Sequence, residues 1–366
     1  MKTIAAVVEG PGAPFELQEV DLDGLRDDEV LVDLAASGIC HTDLGARAGA
    51  FPTPFPVVLG HEGAGTVAAV GQAVTRVAPG DRVALSYDSC GGCATCEAAR
   101  PSYCHEFMPR NFLAQRVDGT TSLIRDGEPL HAQFFGQSSF AAQAICHERA
   151  VVRIEAEIPL EVLAPFGCGV QTGAGAVMNV LRPAPGSSIA IFGAGAVGLS
   201  AVMAARLVGA KQIVAVDINR ARLDLALELG ATHAIDAGGE DVAKQIRAVT
   251  GRGMSFSFNT TTVPAVHSMA LDCLAMNGTA GFVAAPRGEW APQMFAMLAG
   301  GRQLRGILGG DANPRTFLPK LIDYWTQGRF PFDRLIETYG FAEIGKAFHD
   351  CEHGTVIKPV LKVSAP

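Results

Sequence analysis

Ser188-Ile-Ala-Ile-Phe192-Gly193-Ala-Gly195-Ala-Val197-Gly198-Leu-Ser200 is the stretch on which the fold of this chain turns. Ser188 to Phe192 reads as a buried strand, the glycines as a turn, and Val197 to Val208 as a helix. Glycines at Gly193, Gly195 and Gly198 allow a tight turn and let a pyrophosphate approach backbone amides at the helix N-terminus. Alone the motif is weak in a chain with 42 glycines, so its surroundings decide. A second strand, Ile213 to Val216, ends at Asp217, 19 residues beyond Gly198, and a second helix, Arg220 to Leu229, stops at Gly230. That alternation predicts βαβ units and a doubly wound parallel sheet. Asp217 is placed to hold a ribose hydroxyl, and its charge would repel the extra phosphate of NADP, so NAD is expected as cofactor. Arg220 and Arg222 at the next helix start leave some room for NADP, and read equally as solvated charges or as an adenosine contact.

The apolar run Ile189 to Ala205 approaches the ~18 residues of a membrane span. The glycine turn inside it explains it better, and no membrane association is expected. Upstream the rhythm differs. Glu29 to Leu34 alternates Val30, Val32 and Leu34 against polar neighbours, as a half-buried strand does. Val57 to Leu59, Gly65 to Val70 and Arg82 to Leu85 follow, separated by Pro56, Gly60, Gly71 and Pro79-Gly80, which predicts a small barrel or sandwich. Pro183 to Gly186 reads as a junction before the parallel sheet. Met1 to Val8 holds too short an apolar run for a signal peptide, so a cytoplasmic location is expected.

Composition narrows the classes. The 366 residues carry 29 Lys+Arg against 37 Asp+Glu, a net charge of −8, with 48% hydrophobic residues, which supports a large core. An acidic surplus without a basic cluster argues against nucleic acid. Nine cysteines are too few for a disulfide scaffold in a chain of this length.

Four of them cluster. Cys90-Gly-Gly-Cys93-Ala-Thr-Cys96 is followed after seven residues by Cys104. Four thiolates so spaced can wrap one zinc tetrahedrally, leaving no position for substrate, so this zinc would be structural. Two disulfides or free thiols are the alternative. Gly38-Ile-Cys40-His41-Thr42-Asp43, Gly60-His61-Glu62 and Gly167-Cys168-Gly169 are dispersed, and spacing alone cannot join them.

Taken in order, these five motifs resemble zinc-dependent medium-chain alcohol dehydrogenases nearly end to end. Phe135-Gly-Gln-Ser-Ser-Phe140, Gly328 to Ile336 and Ile357 to Leu361 resemble the aryl-alcohol branch, which includes benzyl-alcohol and geraniol dehydrogenases. The resemblance implies Cys40, His61 and Cys168 as catalytic zinc ligands, with Glu62 a carboxylate that can approach the metal. It implies Asp43 as the group orienting His61 and Thr42 as the hydroxyl taking the substrate proton. Thr172 and Val197 match residues packing the nicotinamide, and His41 and Lys358 match positions contacting the pyrophosphate. Where well-known members carry a relay histidine, this chain has Gly45. Phe51, Phe140 and Leu308, with Tyr87, Asn111 and Phe112, are pocket candidates by position, though core packing would explain each.

The expected architecture is therefore a GroES-like β-barrel catalytic domain, 1–169 and 309–366, carrying both zinc sites, and a Rossmann NAD-binding domain, 170–308, with the active site in the cleft between them. The expected reaction is reversible hydride transfer between a primary alcohol, aromatic or allylic, and NAD. A polyol or glutathione-adduct dehydrogenase and a non-catalytic nucleotide-binding protein are the alternatives. A small-molecule alcohol or aldehyde is the expected partner, and a homodimer or homotetramer is implied by resemblance only.

Overall fold

The computed structural model describes residues 1–239 and 241–363. The chain forms two compact units. One comprises Met1–Cys168, Asn313–Thr326 and Phe332–Pro366, and the other Gly169–Ala312 and Gln327–Pro331. The short return of Gln327–Pro331 to the second unit carries no periodicity signal and was outside the sequence expectation.

In the second unit six strands run parallel: Ser188–Phe192, Gln212–Asp217, His233–Asp236, Met254–Asn259, Leu274–Phe282 and Gln303–Gly306. Numbered along the chain they lie in the order 3-2-1-4-5-6, the doubly wound arrangement that reverses direction at the first strand. Ser188–Phe192 is buried on both faces, which is why it reads as a continuous apolar run rather than an alternating one. The helices after it are Ala196–Leu207 and Arg220–Leu229, matching the expected ones within a residue at their boundaries. A helix from Gly169 to Gly175, widening to π-type turns over Ala176–Leu181, was not foreseen, because its small residues show no helical apolar stripe.

The first unit wraps two sheets round one core. One sheet is ordered Val57–Val58, Lys2–Val8, Phe15–Leu22, Leu123–Arg125, Glu128–Leu130. The other is ordered Val151–Arg153, Arg82–Leu85, Gly63–Val70, Glu29–Gly38, Lys358–Lys362, Ile336–Gly340. Their shared core holds Val7, Val20 and Leu130 from one sheet with Leu31, Tyr339 and Leu361 from the other.

Glu29–Gly38 organises this unit by changing partners along one edge. Its first half pairs with Gln143–His147, and its last residues, Ala36 to Gly38, pair with Val360 to Lys362. Its other edge pairs with Gly63–Val70, Ser37 opposite Gly63. The register delivers three chain segments to one end of the sheet: Cys40 just past Gly38, Glu62 just before Gly63, and Lys358 at the start of its strand. No helix among the described residues is long and apolar enough to cross a membrane.

Candidate active site and metal centres

At that sheet end the ligating atoms of Cys40, His61, Glu62 and Cys168 lie within 4.8 Å of one another. Cys40 is the N-cap of the helix His41–Arg47, and Asp43 sits in its first turn, where a carboxylate faces free backbone N–H groups. Asp43 accepts from Cys40 N at 3.0 Å, from Gly60 N at 3.2 Å and from His61 Nδ1 at 2.8 Å. Binding Nδ1 leaves Nε2 as the free ring nitrogen, and His61 Nε2 is buried with no hydrogen-bond partner. Cys168 arrives from another side, on a loop pressed onto the strand Arg82–Leu85. The Ser86 hydroxyl donates to Gly167 O at 2.7 Å, and a Cβ at Gly167 would fall 2.0 Å from Leu85 O.

This donor set fits zinc. Two sulfurs and an aimed imidazole are three ligands of the type that leaves a fourth position open. The hydrogen bond from Cys168 holds the Cys40 thiol well below its usual range, burial opposing, while Cys168 is pushed well above it by that bond and by burial. Burial works against a charged His61, but Asp43's charge and hydrogen bond win and raise it.

Glu62 and Lys358 form a buried ion pair beside the cluster. Lys358 Nζ donates to Glu62 Oε2 at 2.7 Å and to Ile39 O at 2.9 Å, and Lys358 is 2% exposed. Burial raises the Glu62 carboxyl, opposed by Lys358; burial also opposes the Lys358 charge, but Glu62 outweighs it and raises Lys358. A Cβ at Gly38 would fall 2.1 Å from Glu62 Oε2, so only glycine there lets this carboxylate lie against the strand. Lys358, expected at a cofactor pyrophosphate, here has its ammonium on Glu62 instead, because strand pairing draws it inward. His41 lies exposed at the helix start.

The second cysteine cluster gathers Cys90, Cys93, Cys96 and Cys104, again within 4.8 Å. Cys90 N donates to Cys104 Sγ at 3.2 Å, Cys93 N to Cys90 Sγ at 3.3 Å and Glu106 N to Cys104 Sγ at 3.4 Å. Backbone N–H groups aimed at sulfur suit thiolates, and the four-sulfur cage fits a zinc closed to substrate. The Thr95 hydroxyl and neighbouring backbone amides draw Cys93 down to about 5, whereas burial pushes Cys104 up to about 12. All nine cysteines are free thiols, so the disulfide alternative falls. Cys146, Cys273 and Cys351 are buried in the core.

A ladder of rings starts at His61. Phe135 lies over it with centroids 4.7 Å apart, Phe112 is 5.0 Å from Phe135, and Phe51 is 4.9 Å from Phe112. Phe135 was quoted in the sequence only as a branch signature, yet its ring lies over His61, with Phe134 edge-on to the same imidazole at 5.8 Å. Phe135 adopts φ 53°, a left-handed conformation that costs a bulky residue about 1–2 kcal/mol. Hydrogen bonds hold the loop in place: the Ser138 hydroxyl accepts from Phe134 N at 2.8 Å and donates to Val58 O at 2.6 Å. Phe140, expected in the pocket, is instead core: it has no exposed surface and packs on Phe15 and Phe348. Asn111 is structural too, bonding Asp88 N and O through its side chain. Tyr87 packs on Phe107, and Leu308 is half-exposed in the second unit.

In the second unit the glycine turn has room where a ligand needs it. Gly193 has φ 91°, a Cβ at Gly198 would fall 1.8 Å from Gly193 O, and a Cβ at Gly195 would meet nothing within 4 Å. The first and third glycines are thus demanded by packing, while the second opens onto free space, a cradle fitting a dinucleotide phosphate. The Asp217 carboxylate accepts from Ala194 N at 2.6 Å and Asn219 N at 2.8 Å, which ties it to the turn. Gly173 packs so closely that its Cβ would lie 1.9 Å from Val197 O, bringing Thr172 beside Val197. Arg222 is half-buried in the first turn of its helix, its N–H capped by Asn219 Oδ1.

Comparison with known proteins agrees with this geometry. Residues 26–156 match the family model described as alcohol dehydrogenase GroES-like domain, and residues 196–324 that described as zinc-binding dehydrogenase. Geraniol dehydrogenase of Castellaniella defragrans is 48% identical over 362 residues, 98% of this chain and 96% of that protein. A solved alcohol dehydrogenase zinc-binding domain protein from Burkholderia ambifaria is 48% identical with a TM-score of 0.97, each chain covered in full. The benzyl alcohol dehydrogenase from Acinetobacter calcoaceticus superposes with a TM-score of 0.96 at 42% identity, again covering all of both chains. The chain thus belongs to the zinc-dependent medium-chain alcohol dehydrogenases, a GroES-like unit joined to a Rossmann unit, and is an alcohol oxidoreductase using zinc and a nicotinamide cofactor.

Proposed function

We propose that the enzyme oxidises a primary aromatic or allylic alcohol reversibly to its aldehyde with NAD, holding one catalytic and one structural zinc per chain. The observation that carries this is the cluster of Cys40, His61 and Cys168, with His61 Nε2 buried and without a hydrogen-bond partner. Cys40, His61 and Cys168 would hold a zinc that would acidify a bound hydroxyl or polarise a carbonyl, with the nicotinamide supplying the hydride chemistry.

The chain's own residues do the rest. Asp43 fixes the His61 tautomer and ring. Thr42, whose Oγ1 lies 4.0 Å from Cys40 Sγ, holds the proton that leaves the alcohol. Lys358 holds Glu62 back from the metal position. Thr172 and Val197 flank the nicotinamide ring, and Gly193, Gly195 and Gly198 receive the pyrophosphate. Asp217, anchored by two backbone amides, takes the ribose hydroxyls and repels a 2′-phosphate, favouring NAD over NADP.

The ring ladder ending on His61 supports the substrate class, since flat conjugated alcohols gain from aromatic walls. The names of the geraniol and benzyl alcohol dehydrogenases point the same way. An oligomer is proposed as well: the edge strand Gln303–Gly306 is exposed throughout, and Phe295 and Leu298 are each 81% exposed beside it in sequence. Cysteines that hold metal as thiolates suit a reducing, cytoplasmic setting.

Turnover of benzyl alcohol, geraniol, sorbitol and hydroxymethylglutathione with NAD and with NADP tests the reading. Conjugated primary alcohols with NAD should lead. A preference for sorbitol or the glutathione adduct, or for NADP, would overturn it.

A further inference from the structure

One buried amide joins two of the segments that build the catalytic metal cluster. Gln137, 1% exposed, follows the short turn Phe134–Gly136. Its Nε2 donates to His61 O at 3.0 Å and to Ser86 O at 3.2 Å, and its Oε1 accepts from Gly63 N at 3.0 Å. Carbonyls only accept and an N–H only donates, so these partners fix which end of the amide faces which. The grip on the first segment is double, because His61 O and Gly63 N belong to the two peptide groups that flank Glu62.

The bond to Ser86 leads on to the second ligand loop. The Ser86 hydroxyl donates to Gly167 O at 2.7 Å, one residue before Cys168. Packing along this path is tight. A Cβ at Gly63 would lie 2.9 Å from Ser139 Cβ and 3.1 Å from Gln137 Oε1, and one at Gly167 would lie 2.0 Å from Leu85 O. All of these residues lie in the first unit. Asp43 ties Cys40 to His61 through its bonds to Cys40 N and His61 Nδ1. Gln137 ties His61 to the loop of Cys168, so the two side chains between them span all three ligands.

We infer that Gln137 is a positioning residue: its amide, extended by the Ser86 hydroxyl, holds the loop bearing Cys168 at a set distance from His61 and so shapes the three-ligand zinc site. This rests on the two-zinc reading above. His61, Gly63 and Ser86 are buried, so backbone groups deprived of the amide must shift to find other partners, and the two loops shift with them.

The test compares Gln137→Met, Ser86→Ala and the double variant with wild type. Methionine keeps the length and bulk of glutamine but cannot donate and accepts only weakly. The serine change deletes one oxygen and leaves the bonds of Gln137 in place. Zinc affinity is measured at both sites by chelator competition, the visible spectrum is recorded after cobalt(II) replaces the catalytic zinc, and thermal unfolding checks the fold. The cobalt spectrum follows ligand geometry and needs no turnover. Gln137→Met should weaken catalytic zinc binding by about 10–100-fold and alter the cobalt spectrum, with the four-cysteine zinc held as in wild type. Ser86→Ala should act in the same direction and by less, and the double variant should fall short of additivity, because both substitutions cut one path. Should Gln137→Met not fold, Ser86→Ala decides: a changed cobalt spectrum supports the inference and an unchanged one overturns it. A folded Gln137→Met with wild-type zinc affinity and spectrum would overturn it, and so would equal loss of zinc from both sites, which would make Gln137 a support of the whole unit. A wild type that holds fewer than two zincs would instead overturn the two-zinc reading beneath it.

Discussion

Asp43 satisfies three donors with one carboxylate, capping the helix, pinning Gly60 and orienting His61. Replacing it with Asn keeps the shape but removes the charge and lets the amide present N–H where oxygen is needed. Asp43→Asn should weaken catalytic zinc binding by about 10–100-fold, measured by chelator competition, while the four-cysteine zinc stays bound. The role proposed for Thr42 is chemical only. Thr42→Val, nearly isosteric, should almost abolish alcohol oxidation with zinc content unchanged; wild-type turnover would remove it from the proton route. Cys40, Thr42 and Asp43 drew their roles from the family resemblance, since each taken singly has a bland reading. Phe135 drew none, since nothing in Phe135-Gly-Gln says that its backbone turns left-handed and lays the ring on His61.

The elements show why the glycine turn could be read so early. Strand, turn and helix are local: Gly193 answers to its own φ of 91°, Gly198 to the Gly193 carbonyl oxygen, and Gly195 opens onto free space. Gly198→Ala would put a Cβ 1.8 Å from Gly193 O and force the turn open. Fluorescence titration with NADH should then show binding weakened by at least about tenfold, with both zincs retained; undiminished affinity would contradict the assignment of the cradle. The helix Gly169–Gly175 was missed at this scale. Its close approach at Gly173 is dictated by Val197 O across a tertiary contact, and the small residues this requires erase the apolar stripe by which helices are recognised.

Over the whole molecule, the chain divides into two compact units, and the proposed ligands fall on different ones, zinc on the first and the dinucleotide on the second. A ligand that binds only the folded state stabilises it by mass action, so NADH at a hundred times its Kd should add about 2.7 kcal/mol. Scanning calorimetry should show a raised transition for the unit containing Gly169–Ala312; no shift at saturating NADH would mean that the fingerprint does not bind it.

What the amino-acid order determined by itself was everything built from neighbours: the four-cysteine cage, the glycine turn with Asp217 at the next strand end, and the strand rhythm of the first 150 residues. Spacing along a chain is spacing in space only over such short spans. What tertiary structure decided was every partnership across long separations. Lys358 meets Glu62 because Glu29–Gly38 exchanges one strand partner for another midway and takes the C-terminal strand onto its edge. Phe140, in the same motif as Phe135, becomes core because the pleat and the turn send the two rings to different surroundings. Gly45 looked like a missing relay residue and proves to be the space that Phe51 fills. Side-chain identity sets what a residue can do, but packing at fixed van der Waals distances sets which neighbour it does it with.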